Sequence, residues 1–161
     1  MDRGARVSAG LLVLAFVLAA CGKEPVSIPT LRLSAEEQAV CQRVVNALPD
    51  EVDGQSRRKT QPAEALGGAW GDPAIVAQCG VPLPSGFNRT STCQTANGVG
   101  WYLPEDQFRD ESSDIVISTA GYRPILQVTI PAKYRPEGLA TVMVQLGPMV
   151  KQFTELVKPC H

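Results

Sequence analysis

The sequence predicts an α+β domain, a two-layer sandwich in which a mostly antiparallel sheet of about five or six strands packs against an N-terminal and a C-terminal helix. Three observations support this prediction. An amphipathic helical pattern begins at Ser34, alternating and short apolar runs fill the middle of the chain, and a second helical pattern closes it. Two amphipathic helices and a sheet that is wet on one face bury their apolar sides most economically in two layers.

The first helix has both a start and a stop signal. The segment Ser34-Ala35-Glu36-Glu37 is a capping box, with serine at the N-cap and glutamate three positions later. Cys41, Val44 and Leu48 follow at helical spacing and form one apolar stripe. Pro49 is expected to end the helix, because proline cannot continue the backbone hydrogen-bond ladder.

The stretch at residues 67–82 is predicted to organise the rest of the domain. Its glycines indicate a loose turn that places Trp70 between small neighbours. Asp72-Pro73 indicates a second turn, because proline restricts the residue before it and an aspartate side chain can cap a turn. The short apolar run at residues 74–77 is typical of a buried strand.

Two further tight turns are predicted at Asp53-Gly54 and Asn97-Gly98. Asn-Gly is a strong hairpin signal, because both central positions of such a turn need positive φ. The remaining predictions are strands at residues 55–61, 91–96, 99–103, 115–119 and 122–130, polar loops at 81–88 and 104–114, and a helix at 148–157, with 137–147 left open between helix and extended chain.

The N-terminus has the pattern of a lipoprotein export signal. Arg3 and Arg6 precede an uncharged run at residues 7–20, shorter than the about 20 residues of a membrane-spanning helix. The run ends in Leu18-Ala19-Ala20-Cys21, which resembles the lipobox at which bacterial lipoproteins are acylated and cleaved. We expect a lipoprotein signal peptide at residues 1–20, a lipidated Cys21 with a tether at 21–33, and a single disulfide-stapled domain at 34–161.

The cysteine count indicates an oxidised, exported domain. Four cysteines follow Cys21, which predicts two disulfides, and four cysteines allow three pairings. Strand and turn signals between Cys79 and Cys93 favour a bond between these two, which leaves Cys41 with Cys160. No CxxC pair occurs and the one histidine is the last residue, so neither a metal site nor a cofactor is expected.

Four residues are candidates for ligand binding: Trp70, Asp72, Asn97 and Trp101. An exposed indole beside a carboxylate would form a recognition platform, whereas a buried indole and a turn-forming aspartate would be structural. The structural alternative is favoured for Trp70 and Asp72. The formal net charge of −1 and the lack of a basic face argue against nucleic acid as a partner.

No catalytic residue is assigned from the sequence. It has no histidine base within the fold, no Gly-x-Ser-x-Gly elbow and no phosphate loop. A glycosidase-type hydrolase would need two carboxyl groups about 5 to 9.5 Å apart across a cleft. Carboxylates occur in close pairs that we expect to be solvated loop charges: Asp50 with Asp53, Glu105 with Asp106, and Asp110 with Asp114.

Several of these segments together resemble the DUF3515 family of exported proteins and lipoproteins of actinobacteria. The resemblance covers residues 34–160, and its most specific parts are Trp-Gly-Asp-Pro at 70–73 and Cys-Gly-Val-Pro at 79–82. It implies a location in the cell envelope and no assigned activity. The other matching segments are residues 41–55 and Asn97-Gly98-Val99 with Trp101.

The sequence therefore predicts a cell-envelope lipoprotein held by its lipid on the outer face of the cytoplasmic membrane. We expect a non-catalytic binding or assembly module whose partner is an envelope protein or a cell-wall glycan. The alternative is a cell-wall-modifying hydrolase that uses paired carboxylates. Exposed indole rings would favour binding, and two carboxylates converging on a pocket would favour hydrolysis.

Overall fold

The computed structural model describes residues 23–88, 90–91, 93–135 and 137–159. Over these residues the chain has an α+β fold, as predicted. Its elements are β1 (Val26–Ser27), α1 (Ala35–Asn46), β2 (Glu51–Val52), β3 (Gln55–Arg58), β4 (Thr60–Gln61), β5 (Gly67–Trp70), β6 (Ile75–Val81), β7 (Cys93–Ala96), β8 (Val99–Tyr102), α2 (Glu105–Arg109), β9 (Ile115–Thr119), β10 (Tyr122–Arg123), β11 (Ile125–Ile130), a 3-10 turn (Ala132–Tyr134), α3 (Glu137–Phe153) and β12 (Glu155–Leu156).

A large antiparallel sheet forms one layer. Among the described residues it has eight strands in the order β2-β3-β5-β6-β11-β9-β8-β7. The prediction of about five or six strands fell short, because very short strands and the glycine-rich β5 lack a strand pattern in the sequence. Two small pairs lie outside this sheet: β1 runs parallel to β4, and β10 runs antiparallel to β12.

Helices α1 and α3 form the second layer. Burial alternates along β6, so that Ile75, Ala77 and Cys79 are buried on the helix side while Val76 and Gln78 are partly exposed on the other side. The buried residues of both helices join those of the sheet in one core. This period-two alternation is that of an antiparallel sheet with one covered and one open face.

The N-terminal segment crosses the open side of the sheet. We call residues 23–33 the strap. Ile28 is only 1% exposed, and its side chain occupies the space that a Cβ on Gly67 would need. The side-chain amide of Gln78 donates to the carbonyl of Pro29 at 2.7 Å, and Leu33 lies against Gly80. Where the sequence predicts a tether, the structure therefore has a docked segment.

The disulfide pairing differs from the predicted one. Cys41 of α1 is bonded to Cys79 of β6, so the expected bonds of Cys79 with Cys93 and of Cys41 with Cys160 are wrong. The reason is that the two side chains lie on opposite faces of the sheet. Cys79 points to the helix layer, whereas Cys93 lies opposite Tyr102 in the β7–β8 ladder and faces the open side. Closing a loop with a sequence separation of 38 residues stabilises the fold by about 4 kcal/mol in the loop-entropy model.

Cys93 is disulfide-bonded as well. The residue predicted to pair with Cys41, Cys160, lies outside the described residues, as does Cys21. Two disulfides remain the prediction for the whole chain.

Other segments also differ from their predictions, among them the strands predicted at 55–61 and 122–130, each of which is divided into two. Residues 67–70 form strand β5 instead of a turn, and a short helix, α2, interrupts the predicted polar loop at 104–114. Helix α3 includes the segment that was left open and contains Pro148 inside it. It ends at Phe153, short of the predicted end, because the following residues pair as β12 with β10.

Candidate functional site

Trp70 fastens helix α1 to the sheet. Its ring is fully buried, and its indole Nε1 donates to the carbonyl of Pro49 at 2.9 Å. The guanidinium of Arg57 lies 5.9 Å from the ring centroid and donates to the carbonyl of Leu48 at 2.8 Å. Both contacts bind carbonyls of the segment that directly follows the C-cap of α1 at Ala47. Trp70 is therefore a core residue.

Side chains from other elements bind the backbone groups of the turn after Trp70. Tyr134 accepts a hydrogen bond from the Asp72 amide at 3.2 Å and donates to the carbonyl of Pro73 at 2.9 Å. Two cationic side chains bind the carbonyls before Pro73. Arg58 donates to Gly71 O at 2.7 Å, and Lys133 donates to Asp72 O at 3.0 Å. With these groups satisfied, the Trp-Gly-Asp-Pro segment is a structural turn.

The carboxylate of Asp72 points outward. It lies 3.5 Å from the ammonium of Lys23 in the strap, and both side chains are 60% exposed. An exposed ion pair of this kind contributes little to stability. Its importance is positional, because it marks where the N-terminal segment reaches the sheet.

Trp101 is also fully buried, on the helix side of β8. Its indole N–H has no hydrogen-bond partner among the described residues. Since neither indole ring reaches solvent, neither Trp70 nor Trp101 forms a surface recognition platform.

Asn97 completes the hydrogen bonding of helix α3. Its side-chain amide donates to the carbonyl of Val144 at 3.3 Å. Within the helix this carbonyl would accept from residue 148, but Pro148 has no N–H. The hairpin turn at Asn97-Gly98 thus supplies the donor that proline lacks, and Lys151 donates to the Asn97 carbonyl at 3.3 Å.

The carboxylates serve local structure. Asp110 accepts from the amide and hydroxyl of Ser112, and these bonds are the main cause of its lowered pKa. Asp114 accepts from the amide of Ala132 at 2.9 Å, and Glu105 pairs with Arg109 one helical turn away. Among the described residues, no group of three or more His, Cys, Asp and Glu side chains could hold a metal ion.

The carboxyl group of Asp53 has a raised pKa. Burial is the larger cause, and the negative charge of Glu137 adds to it. Its Oδ2 occupies the space that a Cβ on Gly138 would need, so the carboxylate is packed against the first turn of α3. Its amide donates to Gln145 Oε1 at 2.8 Å. Asp50, its partner in the predicted pair, is exposed.

The open side of the sheet gathers polar side chains that the candidate list missed. Gln78, Gln127, Ser118 and Tyr102 stand opposite one another on the adjacent strands β6, β11, β9 and β8. The Gln127 amide donates to the Ser118 hydroxyl at 3.4 Å. A second row on the same strands consists of Val76, Thr129 and Val116. We call these seven residues the open face.

The open face carries no charged residue, and it is bounded at two of its edges. The strap covers the sheet on one side, through Ile28 and Pro29. On the other side Phe87 packs edge-on against Tyr102, with ring centroids 5.1 Å apart. Ser118 is only 1% exposed, so the face offers amides, the Thr129 hydroxyl and the ring of Tyr102 between two walls. In the sequence, Gln127 and Thr129 alternate with apolar residues, which indicates a strand with one solvent-exposed face. The sequence does not show which strands lie beside that strand.

The fold and this surface define a class: a small α+β domain with a sealed core and a neutral, polar sheet face. The family model for DUF3515, a protein of unknown function, matches residues 5–153. The chain belongs to this family. No curated protein and no solved structure matches it. No helix in the described part of the chain is long and apolar enough to cross a membrane.

Proposed function

We propose that this protein is a lipid-anchored module of the cell envelope that binds a partner through its open face and catalyses no reaction. The anchor would be Cys21, on the outer face of the cytoplasmic membrane. Its support is the lipobox-like segment Leu18-Ala19-Ala20-Cys21 after an uncharged run. Two acyl chains on one residue give durable anchoring, whereas a single chain is marginal.

The open face is the observation that carries the binding function. Gln78 and Gln127 are partly exposed and lie side by side on adjacent strands. Tyr102, also partly exposed, lies two strands beyond Gln127, with the buried Ser118 between them. Amide groups can hydrogen-bond with sugar hydroxyls or with a protein backbone, and an aromatic ring can stack against the C–H face of a sugar. The partner is accordingly a cell-wall glycan or an envelope protein.

The hydrolase alternative has one observation in its favour, the raised pKa of Asp53 beside Glu137. A general acid benefits from a raised pKa. However, Asp53 is packed against Gly138 at the start of α3, where its carboxylate lies close to the first helical turn. We therefore keep hydrolysis as the second candidate.

Photocrosslinking in intact cells tests the binding function. A benzophenone amino acid replaces Gln127 on the open face, and in a matched control it replaces Val144, which is exposed on helix α3. We expect a crosslinked product at position 127 that is absent at position 144. Digestion with a muramidase identifies the partner. The enzyme lowers the mass of an adduct with a glycan and leaves the mass of an adduct with a protein unchanged.

Equal labelling from both positions, or none from position 127, would contradict the proposal. The hydrolase alternative is tested separately. Release of soluble fragments from purified cell wall by wild-type protein, lost in Asp53→Asn and Glu137→Gln, would replace binding with catalysis as the function.

A further inference from the structure

We infer that the domain stands upright on the membrane, with the end of its sheet at Gly71–Pro73 against the lipid headgroups and the opposite end pointing away. The partner of this near end is the headgroup surface of the bilayer. The inference rests on the proposed lipidation of Cys21. It adds the orientation of the domain on the membrane, and the evidence for this orientation is the docking of the strap on the sheet.

The strap is attached to the domain from its first described residue. The Lys23 ammonium lies 3.5 Å from the Asp72 carboxylate. Arg58 joins both segments, because one guanidinium nitrogen donates to Glu24 O and the other to Gly71 O, each at 2.7 Å. The chain therefore enters the fold at the Gly71–Pro73 turn.

Attachment continues along the strap. The amide of Val26 donates to the carbonyl of Lys59 at 2.8 Å, and the amide of Ile28 donates to that of Gln61 at 2.9 Å. With the Ile28 side chain buried, these contacts bind the strap through both backbone and side chains. It is part of the domain and not a spacer.

The remaining link to the lipid is very short. Cys21 and Lys23 are separated by one residue, so their Cα atoms are at most about 7.6 Å apart whatever the conformation of the link. A free spacer over residues 22–33 would instead reach up to about 40 Å. Acyl chains on Cys21 must therefore lie close to the Gly71–Pro73 end.

The other end of the sheet lies a full strand length away. Strand β6 starts just after the Gly71–Pro73 turn, and its seven residues span about 20 Å. Leu33, at the end of the strap, packs against Gly80 near the far end of β6. A cleft of about 350 Å³ opens there, lined by Arg32, Leu83, Arg123 and neighbouring residues.

Charge does not determine this orientation. The near end exposes cations such as Lys23 and Lys133 beside anions such as Asp72 and Asp114. Attraction to anionic headgroups is offset by repulsion, so the short covalent link sets the geometry. The open face then stands along the membrane normal, and a partner approaches it from the side.

Fluorescence quenching measures the orientation. The mature lipidated protein is reconstituted in phosphatidylcholine–phosphatidylglycerol vesicles that contain a lipid with a nitroxide on its headgroup. A fluorescent amino acid replaces either Glu111, exposed in the loop before β9 at the near end, or Leu83, 50% exposed at the far end. We expect quenching several-fold stronger at position 111 than at position 83.

A matched variant carries a Gly-Ser insert of about ten residues between Gly22 and Lys23, enough for a coil of roughly 17 Å. The insert leaves the strap docked, and the difference between the two positions should shrink. If protein without the insert stays on the vesicles and is quenched equally at positions 111 and 83, the proposed orientation is wrong while the lipid anchor stands. Protein without acyl mass that leaves the vesicles would overturn the anchor, and the orientation with it.

Discussion

Trp70 and Trp101 are equally buried, and they differ by one hydrogen bond. The Trp70 indole donates to the Pro49 carbonyl at 2.9 Å, while the Trp101 indole has no partner in the described part of the chain. Removing the Trp70 indole leaves the Pro49 carbonyl without its donor, which costs free energy, whereas removing the Trp101 indole leaves no partner behind. The two residues therefore form a natural comparison.

Trp70→Phe should destabilise the fold more than Trp101→Phe, by about 1–3 kcal/mol. Both changes remove similar apolar area, but only the first leaves a carbonyl without its donor. Urea unfolding of the two variants measures the difference. Trp70→Ala should cost about 3–5 kcal/mol, and a thermally normal Trp70→Ala protein would refute the core role.

Asp53 couples stability to pH. Its pKa in the folded state is raised, first by burial and then by the charge of Glu137. A raised folded pKa favours folding while the carboxyl is protonated, and this contribution is lost as the pH rises through that pKa. Ionised Asp53 therefore disfavours the fold at neutral pH.

Asp53→Asn should gain stability relative to wild type as the pH rises from acid to neutral. Asparagine stays neutral and tolerates the φ of 51° at this position. Chemical denaturation across the pH range gives the difference curve, and a flat curve would count against the assignment. In Glu137→Gln, NMR titration should show a lower pKa for Asp53, because the second cause is gone.

Helix α3 depends on a donor from another element. Pro148 would break the ladder at Val144, and Asn97 of the β7–β8 hairpin supplies the missing bond. Gly147 also faces the hairpin, and a Cβ there would make an ordinary van der Waals contact with Val99 at 3.6 Å. The hairpin and the helix thus stabilise each other.

A double-mutant cycle tests this pairing. Asn97→Gly removes the amide while permitting the positive φ, and it should cost about 1 kcal/mol. In a Pro148→Ala background, residue 148 regains an N–H for the Val144 carbonyl, and the cost of Asn97→Gly should fall. Additive effects in thermal unfolding would show that the two residues are not coupled.

Features set by neighbouring residues were predictable from the sequence. The capping box of Ser34 and Glu37 is confirmed, with both reciprocal hydrogen bonds. The hairpin turn at Asn97-Gly98 is confirmed too, with φ values of 49° and 75°. Each depends on a few consecutive residues, so the local pattern contained the necessary information.

Features set by distant residues were not predictable. The glycines of β5 looked like a turn, but they make room for Ile28 on one side and Leu48 on the other. Pro148 looked like a helix start, because its compensating donor is far away in the sequence. The open face was missed for the same reason, since only strand order brings Gln78 beside Gln127.

The whole molecule is a sheet with helices on one face and a strap with an open face on the other. The chemistry-bearing residues that the sequence singled out mostly hold this structure together, as Trp70 does for α1 and Asn97 does for α3. The seven residues of the open face carry no charge. The match to the DUF3515 family assigns no activity.

Every functional proposal begins with the lipid on Cys21, so the state of that residue is the decisive measurement. Intact mass spectrometry and detergent partition are applied to the protein from its own membranes. The account predicts a mature chain that begins at Cys21, carries acyl mass and partitions into detergent, and a Cys21→Ala variant that is released or left unprocessed. A Cys21→Ala protein that keeps the mature mass and still partitions with detergent would contradict it.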